Sequence, residues 1–353
     1  MIEKQLFREY RFKFYLNMNH YIIINGAEGQ LHPHTWEFTF LVIKEKSDFV
    51  QFNVFERLIE DYLETYQGKI LNEMDPFQTL VPTLENVTGC FSEDIRKILK
   101  EHGIAVTEHV LSEECRRLNE VFFHFIQTKR PFVVMKYAMT MDGKIATKTG
   151  ASKWITGETA RKKVHEERHK NMAIMVGIGT VRLDNPSLTT RLENYNAKNP
   201  IRIICDTHLA TPLAATVVTT AKEQRTILAT CCKEQEKWKP YEDAGCEILL
   251  VKEENGRINL KDLMIQLGKM GIDSILLEGG GTLNEAALRA GIVKKVQTYI
   301  APKIFGGDTA KSPVAGIGVN VPNDAFFLKN TTIEKIGEDF LLESEVVTCS
   351  PEL

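Results

Sequence analysis

The chain has 353 residues, 43% of them hydrophobic and 26% charged, with a formal net charge of −3. That length accommodates two ordinary domains, each able to bury its own core. The near-balanced charge gives neither the basic footprint of a nucleic-acid binder nor a membrane-surface patch.

No apolar run approaches the roughly 20 residues of a membrane span. The opening MIEKQLFREYRFKFYL carries charges throughout, so no signal peptide is expected. The seven cysteines are scattered without a CxxC pair. Reduced thiols, and hence a cytoplasmic protein, are the expectation.

From 9 to 43, alternating runs (EYRFKFYLNM, HYIIING, TWEFTFLVI) predict antiparallel strands around a Gly-rich turn. FNVFERLIEDYLETY at 52–66 places Phe55, Leu58, Ile59 and Tyr62 at helical spacing. A second helix is expected after PTLEN (82–86), with Val87, Phe91, Ile95 and Ile98 on one face. Residues 1–110 thus read as a small α+β domain. The stretch 101–130 reads as a strand followed by a linker helix (111–130) that leads to Arg130-Pro131.

From 131 to 348 the pattern changes. Apolar strands (FVVMKYAM, AIMVGIG, IRIICDT, RTILAT, EILLV, SILLEGGG, VQTYIAPKIFGG) alternate with helices expected at 158–170, 260–270 and 282–290. Strands of this kind imply a mostly parallel sheet covered on both faces.

Two motifs in the first domain carry chemistry. In GQLHPHTWEF (29–38), His32 and His34 are two residues apart, so a strand points both to one face. His20 lies in an earlier strand that can pair alongside. Three imidazoles with a fourth position open can hold a catalytic zinc, although HxH is short and fits surface histidines about equally well. His20, Glu28, HPH, ILN at 70–72 and PTLEN together resemble the 6-pyruvoyltetrahydropterin and 6-carboxytetrahydropterin synthase family. The resemblance covers residues 6–110 and implies a tunnelling fold, ring assembly, and zinc held by His20, His32 and His34. Glu28 stands where the family usually carries a proton-transferring cysteine, and a carboxylate can also move protons. Glu85 matches a family glutamate, and Glu108 is a candidate for the pterin anchor. Gln67-Gly68 replace the family's Asp-His pair and can serve neither as base nor relay. The expectation is a metal-binding or assembly module.

The second domain carries four blocks: KYAMTMDGKIATKTGASKWIT (136–156), VGIGTVRLDNPSLTTRL (176–192), LLEGGGTLNEAAL (276–288) and YIAPKIFGG (299–307). Gly279-Gly280-Gly281 end an apolar strand and open a helix at Thr282, where bare backbone lets a phosphate approach the first amides. A tight strand-to-helix turn would read the same way. In this order, the blocks resemble the reductase half of the bifunctional riboflavin-biosynthesis deaminase–reductase, a dihydrofolate-reductase-like α/β fold. No HxE followed by PCxxC occurs, so the zinc-deaminase motif is missing from the sequence.

That resemblance implies NADPH as cofactor and a phosphoribosylaminopyrimidine as the small-molecule substrate. By motif match, Ala138, Trp154, Thr180, Asp184, Thr207, Gly280, Gly281, Thr282 and Leu283 line the NADPH site. Ser152, Arg168, Leu188, Arg191 and Glu278 match substrate-contacting positions. The two arginines suit a phosphate dianion, and Lys136 and Asp184 both stand as candidate proton donors. A pterin substrate for the reductase, and a first domain that serves only as a scaffold, are the competing readings. A homo-oligomer is expected in each case.

Overall fold

The computed structural model describes residues 7–21, 23–24, 27–28, 30–45, 51–106, 116–192 and 197–347. They form two compact units, Met1–Ser112 and Glu113–Leu353. No described helix is long and apolar enough to cross a membrane.

In the first unit, β1 (Phe7–His20) pairs antiparallel with β4 (His32–Glu45), in register from Phe7 opposite Glu45 to His20 opposite His32. Alternation sends Phe14, Leu16, Met18 and His20 inward, as a strand's two-residue period requires. The Phe52–Glu64 helix buries Phe55, Ile59 and Leu63, and the Leu84–Glu101 helix adds Val87, Phe91 and Ile95 to the same core. Phe91 is 1% exposed. It stacks on Phe38 at 5.6 Å and meets Tyr62, Tyr66 and Phe77 edge-on or tilted. Truncating it to alanine would cost about 3–5 kcal/mol. Thr83 in the PTLEN motif caps its helix, its hydroxyl accepting from the Asn86 amide.

Among the described residues of the HYIIING segment, β2 (Ile23–Ile24) pairs antiparallel with β3 (Ala27–Glu28). One expectation is corrected here. No strand forms at 104–106, because Gly103 takes a left-handed φ of 74°. The Ile104 amide then turns back to the Leu99 carbonyl, closing the helix in a Schellman turn. Residues 107–115, including Glu108, lie outside the described residues.

The second unit is built on a nine-stranded sheet ordered β14-β15-β13-β5-β12-β6-β7-β8-β9. The strands are β5 (Phe132–Thr140), β6 (Ala173–Gly177), β7 (Ile201–Cys205), β8 (Thr226–Thr230), β9 (Glu247–Leu250), β12 (Ser274–Leu277), β13 (Val293–Ala301), β14 (Leu328–Ile336) and β15 (Asp339–Val346). From β13 to β9 every pairing is parallel, and β14 and β15 add antiparallel at one edge. A separate small hairpin joins β10 (Glu253–Glu254) to β11 (Arg257–Ile258).

Successive strand residues feed opposite faces. Met175, Ile203, Ile275 and Leu277 pack with Leu263, Leu267 and Ala287 of the Leu260–Lys269 and Gly281–Arg289 helices. Ile174, Val176, Ile204 and Leu228 pack with Val181, Val218 and Tyr241 on the other face. This doubly covered sheet explains why the central strands are nearly all apolar. The Glu120–Thr128 helix, expected as a linker, belongs to this unit: Val121 packs near Phe132 and Glu120 pairs with Lys295.

Candidate active site

The chain leaves β6 toward β7, but leaves β12 toward β13 on the far side of β5. The winding therefore reverses between β6 and β12. At such a switch point the outgoing loops diverge and leave a crevice at the strands' carboxyl ends. A cleft of about 840 Å³ opens there, lined by Gly177, Thr180, Asp184, Thr207, Gly280 and Thr282 among others. Gly280 precedes the Gly281–Arg289 helix, whose start no side chain caps, so its first amides have no intrahelical acceptor. A methyl group on Gly281 would stand 2.8 Å from the Ser312 carbonyl and 2.9 Å from Ala315 Cβ. Only glycine fits there.

Beside this turn, Glu278 follows β12 and is gripped from two sides. Arg168, on the Glu158–Lys170 helix, donates from Nε to Oε1 at 2.7 Å and from Nη2 to Oε2 at 2.9 Å. Its Nη1 reaches the Thr189 carbonyl at 3.0 Å. Lys136 Nζ on β5 lies 4.0 Å from Glu278 Oε2 and 5.5 Å from the centre of the buried Tyr299 ring. Burial opposes charge on Glu278, but Arg168 and Lys136 outweigh it and hold the carboxyl down at about 2. Burial, reinforced by the Arg168 charge, lowers Lys136 below the ordinary lysine range, with Glu278 opposing. His165 is pushed down to about 4 by burial and by Arg168 and Arg191. It is neutral at pH 7, and its Nδ1 accepts the Arg191 amide at 3.3 Å.

The first and fourth motifs are bolted together. Asp142 accepts the Thr140 hydroxyl at 2.6 Å and the Phe305 and Gly306 amides at 3.1 and 2.7 Å. These hydrogen bonds, the Thr140 hydroxyl foremost, depress its carboxyl to about 2. Lys303 Nζ donates to the carbonyls of Trp154 and Ile155, and Arg161 Nη1 to that of Thr156. Arg161 also covers one face of the Trp154 ring at 4.2 Å. Trp154 itself is 67% exposed and held at φ 64°, a conformation costly for a bulky residue. Three successive carbonyls thus fix an indole with one open face. Lys303 and Arg161 escape sequence reasoning, since a loop lysine and a helix-surface arginine carry no signal of their own.

Of the residues expected from the sequence, Ser152, Thr180, Asp184, Thr207, Gly280, Gly281, Thr282 and Leu283 line the cleft. Ser152 donates to Asp184 at 3.1 Å. Ala138 lies opposite Tyr299 on β13 and packs beside it. Leu188 is buried at φ 55°, and Arg191 is exposed. Lys136, Ala138, Trp154, Arg168, Leu188, Arg191 and Glu278 do not line the cleft itself.

In the first unit, His20 is buried directly opposite His32 in the β1–β4 register, and its ring centre lies 4.9 Å from that of His34. The side chains of His32 and Glu28 lie outside the described residues. Among the residues that are described, no trio of His, Cys, Asp or Glu gathers as for a metal ion. Gln67 and Gly68 are spent on structure, the Gln67 side chain accepting the Asn17 amide and the Gly68 amide donating to the Asn17 carbonyl. Asn72 of the ILN motif clamps Tyr21 through both its amide and carbonyl at 2.9 Å, which fixes the chain where it leaves His20.

The second unit is therefore an α/β domain with a ligand cleft at its switch point and a largely buried Lys–Glu–Arg cluster beside the cleft's glycine turn. Residues 131–342 match the family model described as the RibD C-terminal domain, and residues 9–122 match that of 6-pyruvoyl tetrahydropterin synthase. The riboflavin biosynthesis protein RibD of Actinobacillus pleuropneumoniae is 52% identical over 250 residues, which cover 71% of this chain and 66% of that protein. A 2,5-diamino-6-ribosylamino-4(3H)-pyrimidinone 5′-phosphate reductase of Methanothermobacter thermautotrophicus is 38% identical, over 62% of this chain and 99% of its own length. Among solved structures, a Thermotoga maritima diaminohydroxyphosphoribosylaminopyrimidine deaminase/5-amino-6-(5-phosphoribosylamino)uracil reductase superposes with a TM-score of 0.57 at 33% identity. That match covers 74% of this chain and 68% of the other. The chain spans about two thirds of the length of the RibD proteins it matches, and it belongs to the RibD C-terminal domain family. The first unit is similar to pterin synthases.

Proposed function

We propose that the second unit reduces the ribosyl group of 5-amino-6-(5-phosphoribosylamino)uracil to a ribityl group, with NADPH as reductant. The observation that carries this reading is the position of Glu278. The end of β12 supplies both Glu278, which joins Lys136 and Arg168 in a largely buried cluster, and the glycine turn that follows it. A sugar and a dinucleotide diphosphate would thus meet at the end of β12. The bare amides from Gly281 suit the diphosphate, and the open face of Trp154 suits a flat ring.

The nicotinamide, when bound, supplies a hydride to the sugar's anomeric carbon. In the open-chain imine, reducing the C=N bond also requires one proton at nitrogen. Lys136 is buried, charged against Glu278 and lowered in pKa, which makes its ammonium the better-placed donor. Asp184, which accepts the Ser152 hydroxyl on the cleft wall, is assigned to holding the cofactor. Glu278 keeps Lys136 and Arg168 in place and offers its remaining lone pairs to sugar hydroxyls. Arg191 takes the sugar phosphate, with the neutral His165 beneath its backbone. A plain dihydropterin carries no phosphate for this arginine to hold, which favours the pyrimidine over a pterin.

The test is NADPH oxidation by the full chain with the phosphoribosylaminouracil and, separately, with dihydropterins. Turnover confined to the pterins would overturn the assignment.

For the first unit we propose a zinc held by His20, His32 and His34. The register and the close approach of His20 to His34 support a common donor face of imidazoles. With Gln67 and Gly68 committed to the backbone of β1, the unit is assigned a metal-bearing assembly role on a tunnelling fold rather than synthase chemistry.

A further inference from the structure

The cleft carries unspent positive charge in two separate places. Lys311 stands beside the glycine turn, next to the Ser312 carbonyl that crowds Gly281. His208 and Arg257 line the cleft away from that turn, one beyond β7, which is two strand spacings (about 10 Å) from β12, and the other on the β10–β11 hairpin. Both are exposed, and neither side chain makes a hydrogen bond or ion pair among the described residues. A further arginine on the wall, Arg182, spends a donor on the Ala210 carbonyl.

The loop that presents His208 is unusually well tied. Asp206 Oδ2 accepts the Ala210 amide at 2.6 Å, the Thr211 amide at 2.7 Å and the Thr211 hydroxyl at 2.7 Å. Tyr241 donates to the Thr211 carbonyl at 2.7 Å. The Thr207 carbonyl accepts from the Cys231 amide at 3.0 Å and the Thr230 hydroxyl at 3.2 Å. A surface turn fixed on this scale displays its apex residue in one place. Part of the cleft wall is apolar, formed by Cys205, Ile258, Leu260 and Ala286, a surface suited to a purine ring. The sheet order puts β7 three strand spacings from β5 and Lys136, about 14 Å.

A dinucleotide whose only phosphates form its diphosphate bridge would use the charge at the glycine turn and leave the distal pair idle. We propose that His208 and Arg257 receive the ribose 2′-phosphate that distinguishes NADPH from NADH, and so set the cofactor preference. This rests on the reading that the dinucleotide lies in this cleft. Arg257 offers a forked donor set for a phosphate dianion, and His208 supplies a second contact from the rigid turn.

The test is calorimetric titration of the full chain with NADPH and with NADH, for the wild type, Arg257→Gln, and the double variant with His208→Gln. Melting temperatures check that the exposed substitutions leave the fold intact. The wild type is expected to favour NADPH. The affinity ratio should fall on the order of tenfold in Arg257→Gln and further in the double variant, as the loss of charge-assisted hydrogen bonds requires. A ratio unchanged by both substitutions, or equal binding of the two cofactors by the wild type, overturns the proposal. A raised KM for the phosphorylated pyrimidine at constant cofactor ratio would assign the two side chains to the substrate's phosphate and overturn it too. Binding of neither cofactor by the wild type would instead remove the dinucleotide reading itself, and this inference with it.

Discussion

Arg168 and Glu278, 110 residues apart in sequence, form a two-pronged ion pair at 2.7 and 2.9 Å with side chains only 13% and 14% exposed. Such a pair is costly to break from one side, because the remaining charge stays buried without its partner. Arg168→Leu should destabilise the second unit by about 3–5 kcal/mol, read as a lower urea midpoint. Glu278→Gln should lower kcat/KM because Lys136 and Arg168 lose their common anchor. A midpoint unmoved by Arg168→Leu would mean that Glu278 finds other compensation.

The same pair predicts a pH dependence. The folded-state value of Glu278, about 2, lies below its ordinary 4.5. Its contribution is therefore complete above pH 4.5 and is lost as pH falls through about 2. On the order of 3 kcal/mol should disappear across that window. In Glu278→Gln this acid-side loss should shrink, which denaturation at pH 5 and pH 3 would reveal.

Lys136 as proton donor makes a different prediction. An acid is active while protonated, so kcat should fall as pH rises through the lowered lysine value. Lys136→Met should reduce kcat by on the order of 10²-fold or more and abolish that alkaline limb. Lys136→Arg, charged throughout, should carry no alkaline limb from this position. A wild-type limb that persists in Lys136→Met would transfer the role to another group, Asp184 first.

The sheet is readable in the sequence because strands buried on both faces must be apolar along their whole length, as in SILL and TILAT. The edge hairpin is not. β14, LKNTTIEKI, is exposed at every residue but the last, so no alternation marks it as a strand. The Ile178–Asp184 helix begins IGTV, and its glycine and β-branched residues hide a short helix behind a strand. The glycine turn announces itself by composition. Arg168 does not, since EERHK reads as a solvated helix face. It is buried only because the Glu158–Lys170 helix lies across the end of β12, a long-range contact that no local window contains.

Trp154 and its clamp are another case where the fold creates the role. Lys303 holds the Trp154 and Ile155 carbonyls at 3.0 and 2.8 Å. Without it the left-handed backbone at Trp154 loses the contacts that offset its strain. Lys303→Met should therefore weaken the quenching of tryptophan fluorescence by NADPH and raise the cofactor's KM several-fold more than it lowers kcat. Lys303→Arg, which can still donate to carbonyls, should restore much of both. If Lys303→Met binds and quenches as the wild type does, the clamp is not what positions the indole.

The first unit offers a test independent of catalysis. If His20, His32 and His34 share a zinc, the purified chain should carry about one metal per chain, and His32→Ala or His34→Ala should lose it, since a site of three protein ligands cannot spare one. Asn72 holds both backbone groups of Tyr21 and so sets where His20 leaves β1. Outer-shell partners of this kind typically change metal affinity by roughly 10–100-fold. Asn72→Leu should therefore keep the fold, judged by its circular dichroism, while releasing zinc to a competing chelator at lower concentration than the wild type does. Stoichiometric zinc that survives both histidine substitutions would place the metal elsewhere. Chelator resistance unchanged in Asn72→Leu would reduce the ILN motif to a purely architectural turn.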